Sequence, residues 1–185
     1  MFDAIRNRLK SIRSTLADKR GVVAVEFAFI LPVMLLIYIG SAEVSQAVSC
    51  YRLVQLTNST VVNIISQYVT ISQTTQLPDI FAASTDVLTP YPSSGAFIVV
   101  SGIKIDKNTG VATVDWSQTN TGSGGRAVGS VVTVPAAFKT GGYLIFGETT
   151  YSYTPGIDFI NMGTVPLHSQ LYMLPRASQT ITVTP

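Results

Sequence analysis

The chain has 185 residues, enough for one domain of ordinary size and too few for two comfortable ones. Charged residues supply only 12%, about half the usual share, which argues against a charged disordered tail, a Glu/Lys-rich coiled coil and a polybasic nucleic-acid binder. The net charge of +2 is lopsided. Residues 1–20 carry Arg6, Arg8, Lys10, Arg13, Lys19 and Arg20 against Asp3 and Asp18, a balance of +4. The remaining residues hold six cations and eight acids, a balance of −2. A single cysteine, Cys50, allows no intrachain disulfide and no thiolate cluster for zinc or iron–sulfur binding.

The basic head runs into an apolar block. Val22 to Ile39 contains one charge, Glu26, and no charged residue falls between Phe27 and Ala42. Eighteen helical residues reach about 27 Å, close to the thickness of the hydrocarbon core of a bilayer. A soluble core helix is rarely apolar on every face over that length. The spacing therefore predicts a transmembrane helix over residues 22–42. Cations concentrated before it predict a cytoplasmic N-terminus and an extracytoplasmic remainder. A cleaved secretory signal competes with this reading, but the apolar stretch is long for one and Gly40-Ser41-Ala42 is followed by Glu43. A plain anchor is a second alternative.

A third reading uses Gly21 and Glu26 together. An ionisable group within hydrocarbon costs roughly 2.5–3.5 kcal/mol on insertion scales and is usually paired or functional. Glu26 near the headgroups would snorkel at little cost. Were the chain cut after Gly21, however, Val22 would become the N-terminal residue and Glu26 the fifth. Each carboxylate could then meet the free amine of a neighbouring subunit.

That order of basic leader, Gly, four apolar residues, Glu, aromatic and apolar helix resembles a type IV prepilin signal. More narrowly, Arg20-Gly21-Val22-Val23-Ala24-Val25-Glu26-Phe27-Ala28-Phe29-Ile30-Leu31-Pro32 resembles the opening of the TadE-like family, pseudopilins of tight-adherence (Tad/Flp) pilus systems. The likeness is specific over residues 20–32, loose over 33–70 and compositional beyond. It implies cleavage between Gly21 and Val22 by an aspartyl membrane prepilin peptidase, an assembly role for Glu26, and a function in pilus biogenesis. Phe27 stands where major Flp pilins more often carry Tyr, which points to the pseudopilin branch.

Past Gly40 the helical pattern continues. Val44, Ala47, Val48, Tyr51, Val54, Val61, Ile65 and Tyr68 form one apolar stripe, and Leu53, Leu56, Ile64 and Ile71 a second. One side suits the chain's own sheet and the other a partner helix; a deeply buried helix would look the same. Thr60–Ile71 is also rich in β-branched residues and would serve as a strand. Bends are expected at Pro32 and Gly40-Ser41. Leu77-Pro78, Thr89-Pro90 and Tyr91-Pro92 mark a connector. Ala96–Ile105 and Val111–Gln118 flank Asp106–Gly110 as a hairpin, and Asn120–Gly125 reads as a loop. Val128–Val134, Tyr143–Tyr153, Leu167–Leu174 and Gln179–Thr184 are further strand candidates.

The expected fold is α+β: a long N-terminal transmembrane-plus-stalk helix followed by a small antiparallel β-rich extracytoplasmic domain, pilin-like. Its expected segments are a basic leader (1–21), a membrane helix (22–42), an amphipathic stalk (43–76) and a β-rich periplasmic domain (77–185). Enzyme chemistry does not assemble. His168 is the only histidine, the acids Asp79, Asp86, Asp106, Asp115 and Asp158 are scattered, and Gly122-x-Gly124-Gly125 lacks the Lys-Ser/Thr of a P-loop. No cofactor, metal or nucleic acid is expected. Asn58-Ser59-Thr60 matches a glycosylation sequon but falls in the helical pattern. Trp116 and the eight tyrosines would suit a carbohydrate face, though aromatics in such strands usually form core.

Two functions remain. One is a pseudopilin of the bacterial inner membrane, single-pass, with prepilin peptidase, other pilin-like subunits, the assembly platform and the bilayer as partners. The other is a membrane-anchored binding or adhesin module on an uncleaved tether.

Overall fold

A computed structural model describes residues 19–139, 141–156 and 163–185, with Lys19 and Arg20 described by backbone alone. The expected leader up to residue 18 lies outside these residues, as does Asp158. The protein is α+β, a long apolar N-terminal helix followed by an antiparallel β domain. The described residues divide into two compact units, one ending at Val44 and the other beginning at Ser45.

Helix α1 (Lys19–Ile65) is continuous through Pro32 and through Gly40-Ser41, where bends are expected from the sequence. A proline interrupts a helix by removing one N–H donor, yet it leaves the remaining ladder in place. The described side chains of the first unit up to Ile37 are all exposed; Phe29 is 76% and Ile37 67% accessible. In water that much bare apolar surface would be costly, at roughly 25 cal/mol per Å².

In the second unit the sequence of elements is β1 (Thr70–Ser72), α2 (Gln76–Thr85), β2 (Ala96–Ile105), β3 (Ala112–Thr119), β4 (Val131–Val132), β5 (Gly142–Tyr153), β6 (Val165–Met173) and β7 (Thr182–Thr184). Strands β4-β3-β2-β5-β6 form an antiparallel sheet in that order, while β1 and β7 make a separate parallel pair. Alternation along β2 and β5 divides the core between two sheet faces. On one face Ile98, Val100, Trp116, Tyr143 and Ile145 pack with Val61, Val62 and Ile65 of α1. Further along, Cys50 and Val54 meet Ala96, Tyr151 and Tyr153. On the other face Ile103, Val114, Leu144 and Phe146 pack with Val132 and Val134.

The hairpin is as expected, with β2 at the expected bounds and β3 shifted by one residue. Asp106 Oδ1 accepts the N–H groups of Asn108 and Thr109 at 2.7 and 3.2 Å, so the turn is closed by its own side chain. These bonds hold the exposed Asp106 carboxyl below its ordinary range.

Three expectations need correction. The stalk helix, expected to residue 76, ends at Ile65. Gln67 and Tyr68 tighten the last turn with bonds to Ile64 and Ile65, and Thr70–Ser72 then pairs with Thr182–Thr184. The β-branched character of this stretch prevails because a strand partner arrives from the far end of the chain. The connector at Leu77-Pro78 is instead the start of α2, whose first turn accommodates Pro78 because N–H groups there lack helical acceptors. Val128–Val134 shrinks to the two residues of β4, since Gly129 turns at φ 81° and only Val131 and Val132 pair with β3.

Candidate functional site

Gly21 lies in the first turns of α1, and a Cβ built on it would meet no heavy atom within 4 Å. Val22 (58% accessible), Glu26 and Phe27 (58%) follow on the same helix, all exposed. Among the described residues Glu26 has no ion-pair partner. The residues singled out in the sequence therefore share one bare helical segment, on which no side chain of the described residues forms an ion pair with the Glu26 carboxylate. What the segment can do chemically is limited to presenting a backbone junction at Gly21-Val22 and one carboxylate on an apolar rod. Gly21–Ile65 is long and apolar enough to cross a membrane.

The half of α1 in the second unit is two-sided. Cys50, Val54, Thr57, Asn58, Val61 and Ile65 are buried, whereas Val48, Tyr51 and Leu56 are exposed. Asn58 is wholly buried: its Nδ2 donates to Gly147 O (3.1 Å) and Ser169 Oγ (3.3 Å), and its Oδ1 accepts from Thr149 (3.3 Å). The sequon asparagine is therefore a clamp between helix and sheet.

On the opposite sheet face a cavity of about 240 Å³ is lined by Phe97, Val99, Gly124, Arg126, Glu148, Thr150 and His168. Arg126 grips Glu148 with two bonds of 2.7 and 2.8 Å and lies 5.2 Å from the centre of the Phe146 ring. Because the two charges satisfy each other, the pair fastens the glycine-rich loop onto the sheet. Nothing in sequence spacing announces a pair 22 residues apart across a loop. Among the described residues His168 shares a hydrogen bond with Thr150 (3.1 Å), and no cluster able to hold a metal occurs. Trp116 is core, not an open platform. Cys50 is buried among apolar side chains, and burial pushes its thiol up to about 11.

An apolar, unpaired N-terminal helix continued by an antiparallel β domain defines the class: an α+β protein with one helix fit to anchor it in a membrane. Residues 21–57 match the model of the TadE-like protein family, which bears out the resemblance carried by residues 20–32 and extends it along the helix to Thr57. No curated protein and no solved structure matches the chain.

Proposed function

We propose that the protein is a pseudopilin or minor pilin required for biogenesis of a Tad/Flp-type pilus. The observation that carries this reading is the TadE-like match, which begins at Gly21 and runs along the helix that holds Glu26. On this reading a prepilin peptidase cuts between Gly21 and Val22 and removes the basic leader. Residues 22–42 then hold the chain in the inner membrane, with the head on the periplasmic side. Glu26 serves assembly, its carboxylate pairing with the Val22 amine of an adjacent pilin-like subunit. That amine and carboxylate are four residues apart on one chain, about 6 Å along the helix axis, so staggered neighbours can satisfy both. The exposed Val48, Tyr51 and Leu56 extend the contact to partner helices.

The test is N-terminal sequencing of the membrane-extracted protein, combined with Glu26→Gln. The wild type is expected to begin at Val22. The variant is expected to insert, be cleaved and keep a protease-resistant head while piliation fails. An intact Met1 terminus in cells with active peptidase, or normal piliation by the variant, would favour the tethered binding module instead.

A further inference from the structure

At the end of the sheet where β2 leaves and β5 enters lies a groove of about 720 Å³. Its walls are the hairpin end (Lys104 to Lys107), the turn into β5 (Gly141–Tyr143) and the segment after β6 (Leu174, Pro175 and Ser178–Thr180). The groove exists because α1 stops at Ile65. Beyond that point the same sheet face is covered by the C-terminal segment, which Trp116 Nε1 and Tyr143 Oη anchor through bonds of 2.8 and 3.1 Å to Ile181 O. Lys104, directly across from Tyr143 on that face, is left at the margin.

Charge is gathered at this end. The chain has six cations beyond residue 20; Lys104 and Lys107 line the groove, whereas Lys139 lies in a neighbouring pocket and Arg176 just outside the lining. A Cβ built at Gly110 would lie 3.6 Å from Lys139 Cβ, so Lys139 sits against the hairpin tip; Arg176 follows Pro175 directly. All four are exposed, and none forms an ion pair among the described residues. Two acids stand nearby and keep their charge: Asp106, in the groove wall, closes its own turn, and Asp115 accepts from the Tyr143 hydroxyl at 3.0 Å.

We propose that this groove binds an acidic, partly apolar peptide segment of a partner protein in extended conformation. Lys104 and Lys107 supply ammonium groups for carboxylates. Leu174, 60% accessible, and Pro175 supply an apolar wall for an intervening side chain. Gly141 packs directly against Lys107, while Gly142, at φ 130°, carries no side chain and a Cβ built there would meet nothing within 4 Å, which leaves room for a main chain. A sugar would need an open aromatic platform, and the Tyr143 and Trp116 rings are buried. A lone phosphate would occupy little of a cavity in the roughly 300–1,000 Å³ range typical of ligand sites. The proposal is independent of processing at Gly21 and of the pilus reading.

The test uses the purified full chain in lipid nanodiscs and a fluorescein-labelled peptide of alternating Glu and Leu, followed by anisotropy. Saturable binding is expected, weakening as salt is raised because exposed charges are screened. Lys104→Glu combined with Lys107→Glu should weaken it at least tenfold and Leu174→Ser about threefold, while Arg52→Glu, on the stalk, should leave it unchanged. Melting curves check that each variant is folded, and the milder pair Lys104→Gln with Lys107→Gln replaces any reversal that is not. Equal binding by wild type and the charge-altered pair would overturn the proposal, as would no binding at all. Competition by polygalacturonate or inorganic phosphate as effective as that of unlabelled peptide would also overturn it, since the groove would then recognise the anion alone.

Discussion

Asn58 and Gly147 set how closely helix and sheet approach. A Cβ on residue 147 would overlap Val62 Cγ2 and lie 2.7 Å from Asn58 Oδ1. Gly147→Ala must therefore push α1 off the sheet or strip Asn58 of its bonds, and overpacking of this kind costs about 1–3 kcal/mol. Asn58→Leu keeps the branching and the number of heavy atoms but leaves Gly147 O, Thr149 and Ser169 short of a partner, at about 1–3 kcal/mol. Chemical denaturation of the two variants measures both losses; a melt identical to wild type for Gly147→Ala would show that the helix is not held at this distance. Cys50 offers a second reading at the same scale. With its thiol raised from 9.0 to about 11 by burial, only about one molecule in a thousand is thiolate at pH 8. Native protein should resist maleimide there and react once unfolded. Since the folded pKa is the higher one, the stabilising contribution is complete below about pH 9 and declines as pH rises toward 11. Rapid labelling of folded protein at pH 8 would contradict this environment.

Elements defined by local chemistry were legible, and those defined by distant partners were not. The β2–β3 hairpin follows from alternating residues around a self-closing Asp106 turn, and α1 from an unbroken apolar pattern. Strand β1 could not be placed this way, because Thr70–Ser72 is a strand only through its pairing with Thr182–Thr184. The same limit hid the groove at Lys104 and Lys107, whose third wall comes from residues 174–180. The pattern from Gly21 to Phe27 was legible because it is contiguous and needs no tertiary partner. The C-terminal segment has a measurable role. Ile181 is 1% accessible, packs in the main core and presents its carbonyl to Trp116 and Tyr143. Ile181→Ala should cost about 2–5 kcal/mol by leaving a cavity. It should also red-shift the emission of Trp116, the only tryptophan. An unshifted emission with unchanged stability would mean that the segment merely rests on the sheet.

For the molecule as a whole, charge and hydropathy bear on which side of a membrane the head occupies. Insertion machinery retains cation-rich flanks in the cytoplasm and translocates segments poor in Lys and Arg. Six cations stand in residues 1–20, and between residues 21 and 103 there is only one, Arg52. The bias is therefore strong and lies close to the apolar run, where it counts most. The uncharged stretch from Phe27 to Ala42 offers one crossing, so the head should lie wholly on the far side. Alkaline phosphatase fused after Pro185, which works only where its disulfides form, should be active. A fusion after Arg20 should be silent. Replacing Lys10, Arg13, Lys19 and Arg20 by Gln removes four of the six retaining charges, and activity of the Pro185 fusion should then fall as a fraction of the chains inverts. Cytoplasmic location of the Pro185 fusion in the unaltered chain would overturn the topology and, with it, access of the head to any periplasmic partner. An unchanged signal after the four substitutions would instead leave orientation to the apolar helix and the folded head.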